Sequence, residues 1–255
     1  MGAVEKRTKT FRAGPVRIRV TTDDAAARPK ERLTRERIVD AAMDLMAEKG
    51  YDGVSMRSLA RALDTGQASL YAHVANKEEL DQLVIDRICS ELDVPEPDPE
   101  NWAEQLKQVL RDCLELYRAH PGTARAAMGM IPTQEGGLRI AEGMLAICIR
   151  GGVSPQAAAW FCDIAALFVC AVAYEEQIWT QRMVDGAGHD DLHEFHEDVD
   201  GQLMAAFGQL PADRFPFVTG YARELTAGDG DERLEFGLDL LVSGLEAASE
   251  RYRDR

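Results

Sequence analysis

Positive charge is scarce in this sequence, with 29 Lys and Arg against 44 Asp and Glu and a net charge of −15. Such a balance excludes a general polyanion-binding surface unless the basic residues are gathered in one place. Cysteine is sparse too. The five (Cys89, Cys113, Cys148, Cys162, Cys170) are an odd number with no C-x-x-C pair and sit among apolar neighbours. That suits reduced thiols packed in the core of a cytoplasmic protein and argues against a disulfide scaffold. No basic n-region followed by an apolar run opens the chain, so no secretory signal is expected. The most apolar stretch, residues 157–174, is interrupted by Asp163 and closed by Glu175 and Glu176. A membrane span needs about 20 apolar residues, so a buried helix is expected there and no membrane partner. Also missing are a Gly-rich phosphate motif, a nucleophile–base pair, paired carboxylates on an apolar face and any cofactor motif. An enzyme is therefore not expected.

The charge that is present is unevenly spread. Residues 1–37 hold eleven Lys or Arg and five acids, a local +6 that leaves the rest of the chain at −21. A basic end on an acidic body fits a protein that holds DNA at one place and repels it elsewhere. Residues 1–33 lack a sustained apolar period and read as a flexible, mostly disordered arm. Within it Val16, Ile18 and Val20 alternate with Arg17 and Arg19 as in a short strand. The arm suits a non-specific phosphate contact, a minor-groove contact, or no contact at all.

Thr34 is a good N-cap for a first helix carrying Ile38, Ala42, Leu45 and Met46 on one face and ending at Gly50. Ser55 caps a second, with Leu59 and Leu63 inward. Asp64-Thr65-Gly66 forms a tight turn, and a third helix runs from about Gln67 to His73 with Leu70 and Val74 inward. Asn76 and Glu79 have the spacing of a capping box for a fourth. Prolines at 95, 97 and 99 then break the chain. The domains expected are an arm at 1–33, a helix-turn-helix unit with connecting helix at 34–94, and a larger helical unit at 95–255. Beyond the break, helices are expected at about 102–117, 124–130, 133–149 and 155–183. An acidic surface loop is expected at 185–200, with further helices at Leu203–Phe207 and Arg214–Leu225 around Pro211 and Pro216, and a last one from about Asp231. The fold class predicted is all-α.

Two short helices joined by a tight turn form a helix-turn-helix, and this arrangement points to DNA. A recognition helix exposes small or polar residues while its other face is held by the preceding helix. The exposed positions here are Gln67, Ala68, Ser69, Tyr71 and His73. Gln67 can pair with an adenine edge, Ala68 can pack on a thymine methyl, and Ser69 can take a base or a phosphate. Tyr71, His73 and Lys77 suit phosphates, and Arg57 can reach a base or the backbone.

The run 47–55 (Ala-Glu-Lys-Gly-Tyr-Asp-Gly-Val-Ser), then 56–63 (Met-Arg-Ser-Leu-Ala-Arg-Ala-Leu) and 68–80 (Ala-Ser-Leu-Tyr-Ala-His-Val-Ala-Asn-Lys-Glu-Glu-Leu) resembles the DNA-binding domain of the tetracycline-repressor family of bacterial regulators. The C-terminal part resembles the ligand-binding and dimerisation domain of the tetracycline repressor through Pro132-Thr133, Tyr174-Glu-Glu-Gln177 and residues 236–246. The resemblance implies a homodimeric repressor on double-stranded DNA carrying a palindromic operator, released by a small-molecule inducer. It implies DNA contacts at Arg57, Gln67, Ala68, Ser69, Tyr71, His73 and Lys77, with the long helix from Pro155 and the last helix forming the dimer interface. Asp64 stands where the family usually has Gly. Ala127 and Leu167 stand where the tetracycline repressor has pocket histidines, one of them a magnesium ligand, and Glu175 matches a carboxylate that helps place the metal. Magnesium–tetracycline is therefore not the expected ligand. The pocket residues expected are Cys113, Met130, Ile131, Met144, Cys162, Leu167 and Cys170, apolar and polarisable as suits a flat hydrophobic compound, together with Glu175.

Three other readings remain. Cys162 and Cys170 could make the signal redox, although residues eight apart on one helix are too distant to bridge each other. His189, His193 and His196 have a spacing that could hold zinc or nickel, against the plainer reading of solvated histidines in a loop and no metal. A helical enzyme or carrier with an incidental helix-turn-helix is the third.

Overall fold

The computed structural model describes residues 7–13 and 16–22 as backbone, and residues 32–186 and 191–253. Among the described residues the fold is all-α, with twelve helices after one N-terminal hairpin. In the hairpin β1 (Arg7–Ala13) pairs antiparallel with β2 (Val16–Thr22), Ala13 opposite Val16 and Arg7 opposite Thr22. Mostly disorder was the expectation here, with one short strand. The alternation of Val16, Ile18 and Val20 does mark a strand, and the second lies across a Gly-Pro dipeptide, a break typical of turns. Arg and Thr fill that second run in place of the apolar residues that would have signalled it.

Helix α1 (Arg35–Lys49) is capped by the Thr34 side chain, which accepts from the Arg37 N–H at 3.3 Å. Helix α2 (Met56–Ala62) starts in a closed box, with the Ser55 side chain accepting from Ser58 N–H and the Ser58 side chain accepting from Ser55 N–H. Next come α3 (Gln67–Tyr71) and α4 (Lys77–Cys89). Asn76 caps α4 by accepting from Glu79 N–H at 2.8 Å, but Glu79 does not complete the expected box. Its carboxylate takes the Ala75 N–H and the Arg35 guanidinium instead, tying the starts of α1 and α4 together. Ile38, Ala42, Leu45, Leu59, Leu70, Val74, Leu80, Val84 and Ile88 close one core over these four helices.

A second core is built by α5 (Trp102–Ala119), α6 (Thr123–Ala127), α7 (Glu135–Arg150), α8 (Pro155–Asp185) and α12 (Gly230–Arg251). Helix α8 is long and apolar enough by composition to cross a membrane. Here its Ala158, Phe161, Ala165 and Val169 are buried against Leu106, Leu110, Leu114 and Leu238 of α5 and α12. Paired charges brace the same helices from outside. Arg118 of α5 holds Glu176 through two nitrogens (2.9 and 2.6 Å) and also reaches Asp231, while Arg111 holds Glu235 at 2.6 and 2.7 Å.

One expectation fails outright: residues 185–200 are not a surface loop throughout. Helix α9 (Leu192–Gly208) occupies most of that stretch, capped by the Asp191 carboxylate, which accepts from His193 and Glu194 N–H. The acids and glycines hid an apolar row at four-residue spacing, Phe195, Val199, Leu203 and Phe207, which is one helical face. Two short helices, α10 (Pro216–Gly220) and α11 (Ala222–Leu225), pack with α9.

The cores meet through α4 and α6. Gly122, with φ +94°, brings the α5–α6 turn so close to Tyr51 that a β-carbon at Gly122 would lie 2.5 Å from the Cβ of Tyr51. Gly136 opens α7 against α4 in the same way, since a β-carbon there would lie 2.4 Å from the Asp86 carbonyl oxygen. Backbone cannot yield as a flexible side chain can, so Gly136→Ala is expected to cost about 1–3 kcal/mol. Gly201→Ala on exposed α9 meets nothing within 4 Å. It should be neutral or stabilise by up to about 1 kcal/mol through helix propensity. Thermal melts of the two variants against the parent chain check both values.

Candidate functional site

Helix α3 is only five residues long, too short to persist alone, and is held by burial at both ends of its inner face. Leu70 and Val74 are fully buried, against Leu59 of α2 and the α1 face. The turn before it needs a left-handed residue, and Asp64 supplies it at φ 44°. Among the described residues Asp64 is the sole non-glycine with positive φ. Asp tolerates this conformation better than most side chains, so replacing the usual Gly keeps the turn.

With its inner face fixed, α3 and the first turn of α2 expose Arg57, Gln67, Ala68, Ser69 and Tyr71 to solvent. Tyr71 keeps nearly half its surface exposed. His73 is half-buried, and its carbonyl accepts from the Arg35 guanidinium at 2.8 Å. Lys77 stands apart from the others. It is bonded to Asp81 and lies over the Tyr51 ring, 4.5 Å from the centroid. It could reach a phosphate only by giving up that ion pair.

The second candidate site is a cavity of about 470 Å³ between α4, α5, α7 and α8, closed at one end by residues 127–134. Cys113, Met130, Ile131, Met144, Cys162, Leu167 and Cys170 all line it, so seven of the eight expected pocket residues share one space. Glu175 does not. It is exposed on α8, because five residues beyond Cys170 the helix has turned by about 500°, away from the cavity side. Ala127 and Leu167 line the wall as expected, so no imidazole enters it from those positions.

Several lining residues were not singled out from sequence: Gln82, Ile85, Asp86 and Cys89 of α4, Tyr117 of α5, and Thr133, Gln134 and Asp163. Those on α4 and α5 fit the same helical periods as the core, and period alone does not separate a cavity wall from packed interior. They matter because polar groups are few here and would orient a ligand. Tyr117 bonds with Cys170, and burial raises its phenol well above the ordinary value.

The contact between α4 and α7 beside this cavity is polar. The Asp86 carboxylate accepts from Gly137 N–H at 3.1 Å. The Arg139 guanidinium donates to the Leu92 carbonyl at 2.6 Å and the Ser90 carbonyl at 3.1 Å. The Ser90 carbonyl belongs to the C-cap of α4, at the helix's negative dipole end, and the Leu92 carbonyl lies two residues beyond it.

Four of the five thiols face the cavity, and burial decides their chemistry. It pushes Cys89 up to about 11 and Cys113 up to about 12, and raises Cys170 as well. Cys148 on α7 is fully buried and donates its hydrogen bond to the Cys162 sulfur, which raises Cys148 and lowers Cys162. The sequence pairing considered for redox chemistry, Cys162 with Cys170, is ruled out by about 12 Å of helical rise between them. His193 and His196 lie on α9 by a separate hollow of about 510 Å³, with His196 edge-on to Trp179 at 5.6 Å. His189 is outside the described residues, and among those described no three potential ligands come together as a metal site.

A profile described as "Bacterial regulatory proteins, tetR family" matches residues 38–82, and one described as "Tetracyclin repressor-like, C-terminal domain" matches residues 94–249. The repressor DrrR1 of Streptomyces coeruleorubidus is 29% identical over 88% of this chain and 82% of its own length. The class D tetracycline repressor of Escherichia coli is 26% identical over 84% and 90%. Among solved structures, apo ActR of Streptomyces coelicolor is 36% identical with a TM-score of 0.74, covering 89% of this chain and 99% of its own. The same protein has been solved with actinorhodin bound.

At pH 8 a thiol titrating near 12 is ionised in roughly one molecule in 10⁴. Timed iodoacetamide labelling read by mass spectrometry should modify Cys162 first, and Cys89 and Cys113 only on unfolding or near their raised values. Equal rates at all five thiols would contradict the assignment.

Proposed function

The chain belongs to the tetracycline-repressor family of bacterial transcriptional regulators, and we propose that it acts as a cytoplasmic homodimer released from a palindromic operator by a flat, hydrophobic ligand. As a member it is a DNA-binding transcriptional repressor and not an enzyme. The observation that carries the proposal is the double duty of α4. One side packs Leu80, Val84 and Ile88 into the DNA-binding core, and the other gives Gln82, Ile85, Asp86 and Cys89 to the cavity wall.

A ligand wedged between α4 and α7 has to respect or displace that wall. Displacing it moves α3, which has no independent support. DNA release then follows from differential affinity for two dimer geometries, since a ligand shifts an equilibrium only by preferring one state. In the DNA-competent state the two α3 helices would sit about 34–36 Å apart in successive major grooves. Arg57, Gln67, Ala68, Ser69 and Tyr71 would make the contacts, with His73 and Lys77 toward the backbone. The dimer is supported by the outer faces of α8 and α12. There Trp160, Ile164, Phe236 and Leu240 leave 48–66% of their surface exposed, an apolar area of the kind that marks an interface.

The ligand class follows from the lining. Methionine and cysteine sulfur is polarisable and packs well on ring edges and faces. The solved complex of ActR with actinorhodin, in a relative 36% identical, supports a multi-ring compound. Magnesium–tetracycline is disfavoured because Ala127 and Leu167 offer no metal ligand and Glu175 lies off the cavity. Thr133, Gln134 and Asp163 are the groups that would orient a polar edge.

Fluorescence anisotropy on DNA flanking the gene tests this directly. Actinorhodin, or another flat multi-ring compound, should release the DNA and raise thermal stability by about 2.7 kcal/mol at a hundred times its Kd. Magnesium–tetracycline should do neither. Arg139→Ala frees the end of α4 while leaving the cavity lining in place. It should keep ligand binding and change the coupling to DNA by about 0.5–2 kcal/mol, or roughly 2–30-fold. Tight magnesium–tetracycline binding, or an Arg139→Ala protein that couples as the parent does, would overturn the respective part.

A further inference from the structure

The N-terminal hairpin is basic in an acidic protein: residues 7–22 hold five Lys or Arg and no Asp or Glu, against a net −15 for the chain. It also lies outside the N-terminal family profile, which begins at residue 38.

Residues paired directly across antiparallel strands share a face. The register pairs Thr8 with Thr21, Thr10 with Arg19 and Arg12 with Arg17. These six residues therefore fall on one face of the ribbon, which holds three arginines and three threonines and nothing else. Arg and Thr are residue types that bind phosphate oxygens, and a two-stranded ribbon fits the major groove, which is about 12 Å wide.

The arm is also attached in the right place. Arg35, at its root, donates to the carbonyl of His73 at 2.8 Å and to Glu79 at 2.6 Å. The arm thus joins the body beside the C-terminal end of α3, next to the exposed Gln67, Ser69 and Tyr71. Ten peptide steps separate Thr22 from Arg32, a maximum span of about 35 Å, close to one turn of B-form DNA. The acidic body beyond repels a nucleic acid, so the ribbon and α3 are the elements that can share one duplex.

We propose that the ribbon formed by β1 and β2 is a second DNA-binding element, seated in the duplex that flanks the half-site read by α3, with Arg12, Arg17 and Arg19 contacting phosphates. Such contacts add affinity and salt dependence without adding sequence preference. The proposal rests on the operator-binding dimer described above, and the test separates the two.

The test uses the full chain with Arg12, Arg17 and Arg19 all changed to Ala, and all changed to Lys, on two duplexes. One ends at the operator and the other extends it by a helical turn on each side. On the extended duplex the Ala variant should lose at least tenfold in affinity at 150 mM salt. The slope of log K against log salt should become shallower by up to about 5, at about 0.9 per phosphate for three arginines in each of two protomers. The Lys variant should recover most of both, because a phosphate accepts either cation. On the short duplex the variants should match the parent, and hydroxyl-radical protection of the flanks should vanish in the Ala variant alone. Equal affinity and slope for parent and Ala variant on the extended duplex would overturn the proposal, as would an equal loss on both duplexes. The second result would place the arginines against the operator core or another protein. Failure of the parent chain to bind either duplex would instead sink the operator reading itself.

Discussion

The clamp between α4 and α7 is the contact on which the rest of this structure depends. Helix α4 is a member of the DNA-binding core through Leu80, Val84 and Ile88, and the chain just past it enters the second core through Leu92. Its end is held from outside by Arg139, and Asp86 holds the first turn of α7. Gly136 lets the two backbones come close enough for both bonds to form. All of this sits at the rim of an apolar cavity whose walls are α4 and α7 themselves. Anything that occupies the cavity acts on α4, a member of the DNA-binding core.

The DNA-facing end is built to be moved as a body. Helix α3 has five residues, a single buried leucine and an Asp-containing left-handed turn, so it has no stability of its own. Its position is inherited from α1, α2 and α4. Arg35 and Glu79 lock the starts of α1 and α4 to the end of α3, so a shift of α4 carries the reading surface with it. A separate contact at Gly122 and Tyr51 ties the α5–α6 turn to the same domain. The acidic remainder of the chain is consistent with a single DNA-facing end.

What was legible in the sequence follows from how local each signal is. The helix-turn-helix is written in caps and periods within a few residues of each other: Thr34, Ser55 and Asn76 begin helices and Leu59, Leu70 and Val74 point inward. Five of the seven expected cavity residues lie on helices α5, α7 and α8, while Met130 and Ile131 sit in the segment joining α6 to α7, and all seven lie in the part of the chain likened to a known pocket. Glu175 was misplaced because matching a short motif does not fix its rotation about α8. The Cys148–Cys162 contact was invisible, since nothing in either residue's neighbourhood says that α7 and α8 cross there. The end of α9, Leu203 to Phe207, is legible as helix, while its first part reads as a loop for a compositional reason, acids and glycine masking a four-residue apolar period. In the hairpin only the β2 half had apolar alternation to be seen.

Linkage gives the most direct test of the central claim, that cavity and DNA surface are coupled through α4. If ligand weakens operator binding by some factor, operator must weaken ligand binding by the same factor. The measurement is ligand Kd by titration calorimetry, with actinorhodin or the flat compound found to release DNA, for the free protein and for the protein saturated with operator duplex. A rise in ligand Kd equal to the fall in operator affinity is predicted. An unchanged ligand Kd would contradict the account, because release would then come from competition at another surface or from loss of folded protein.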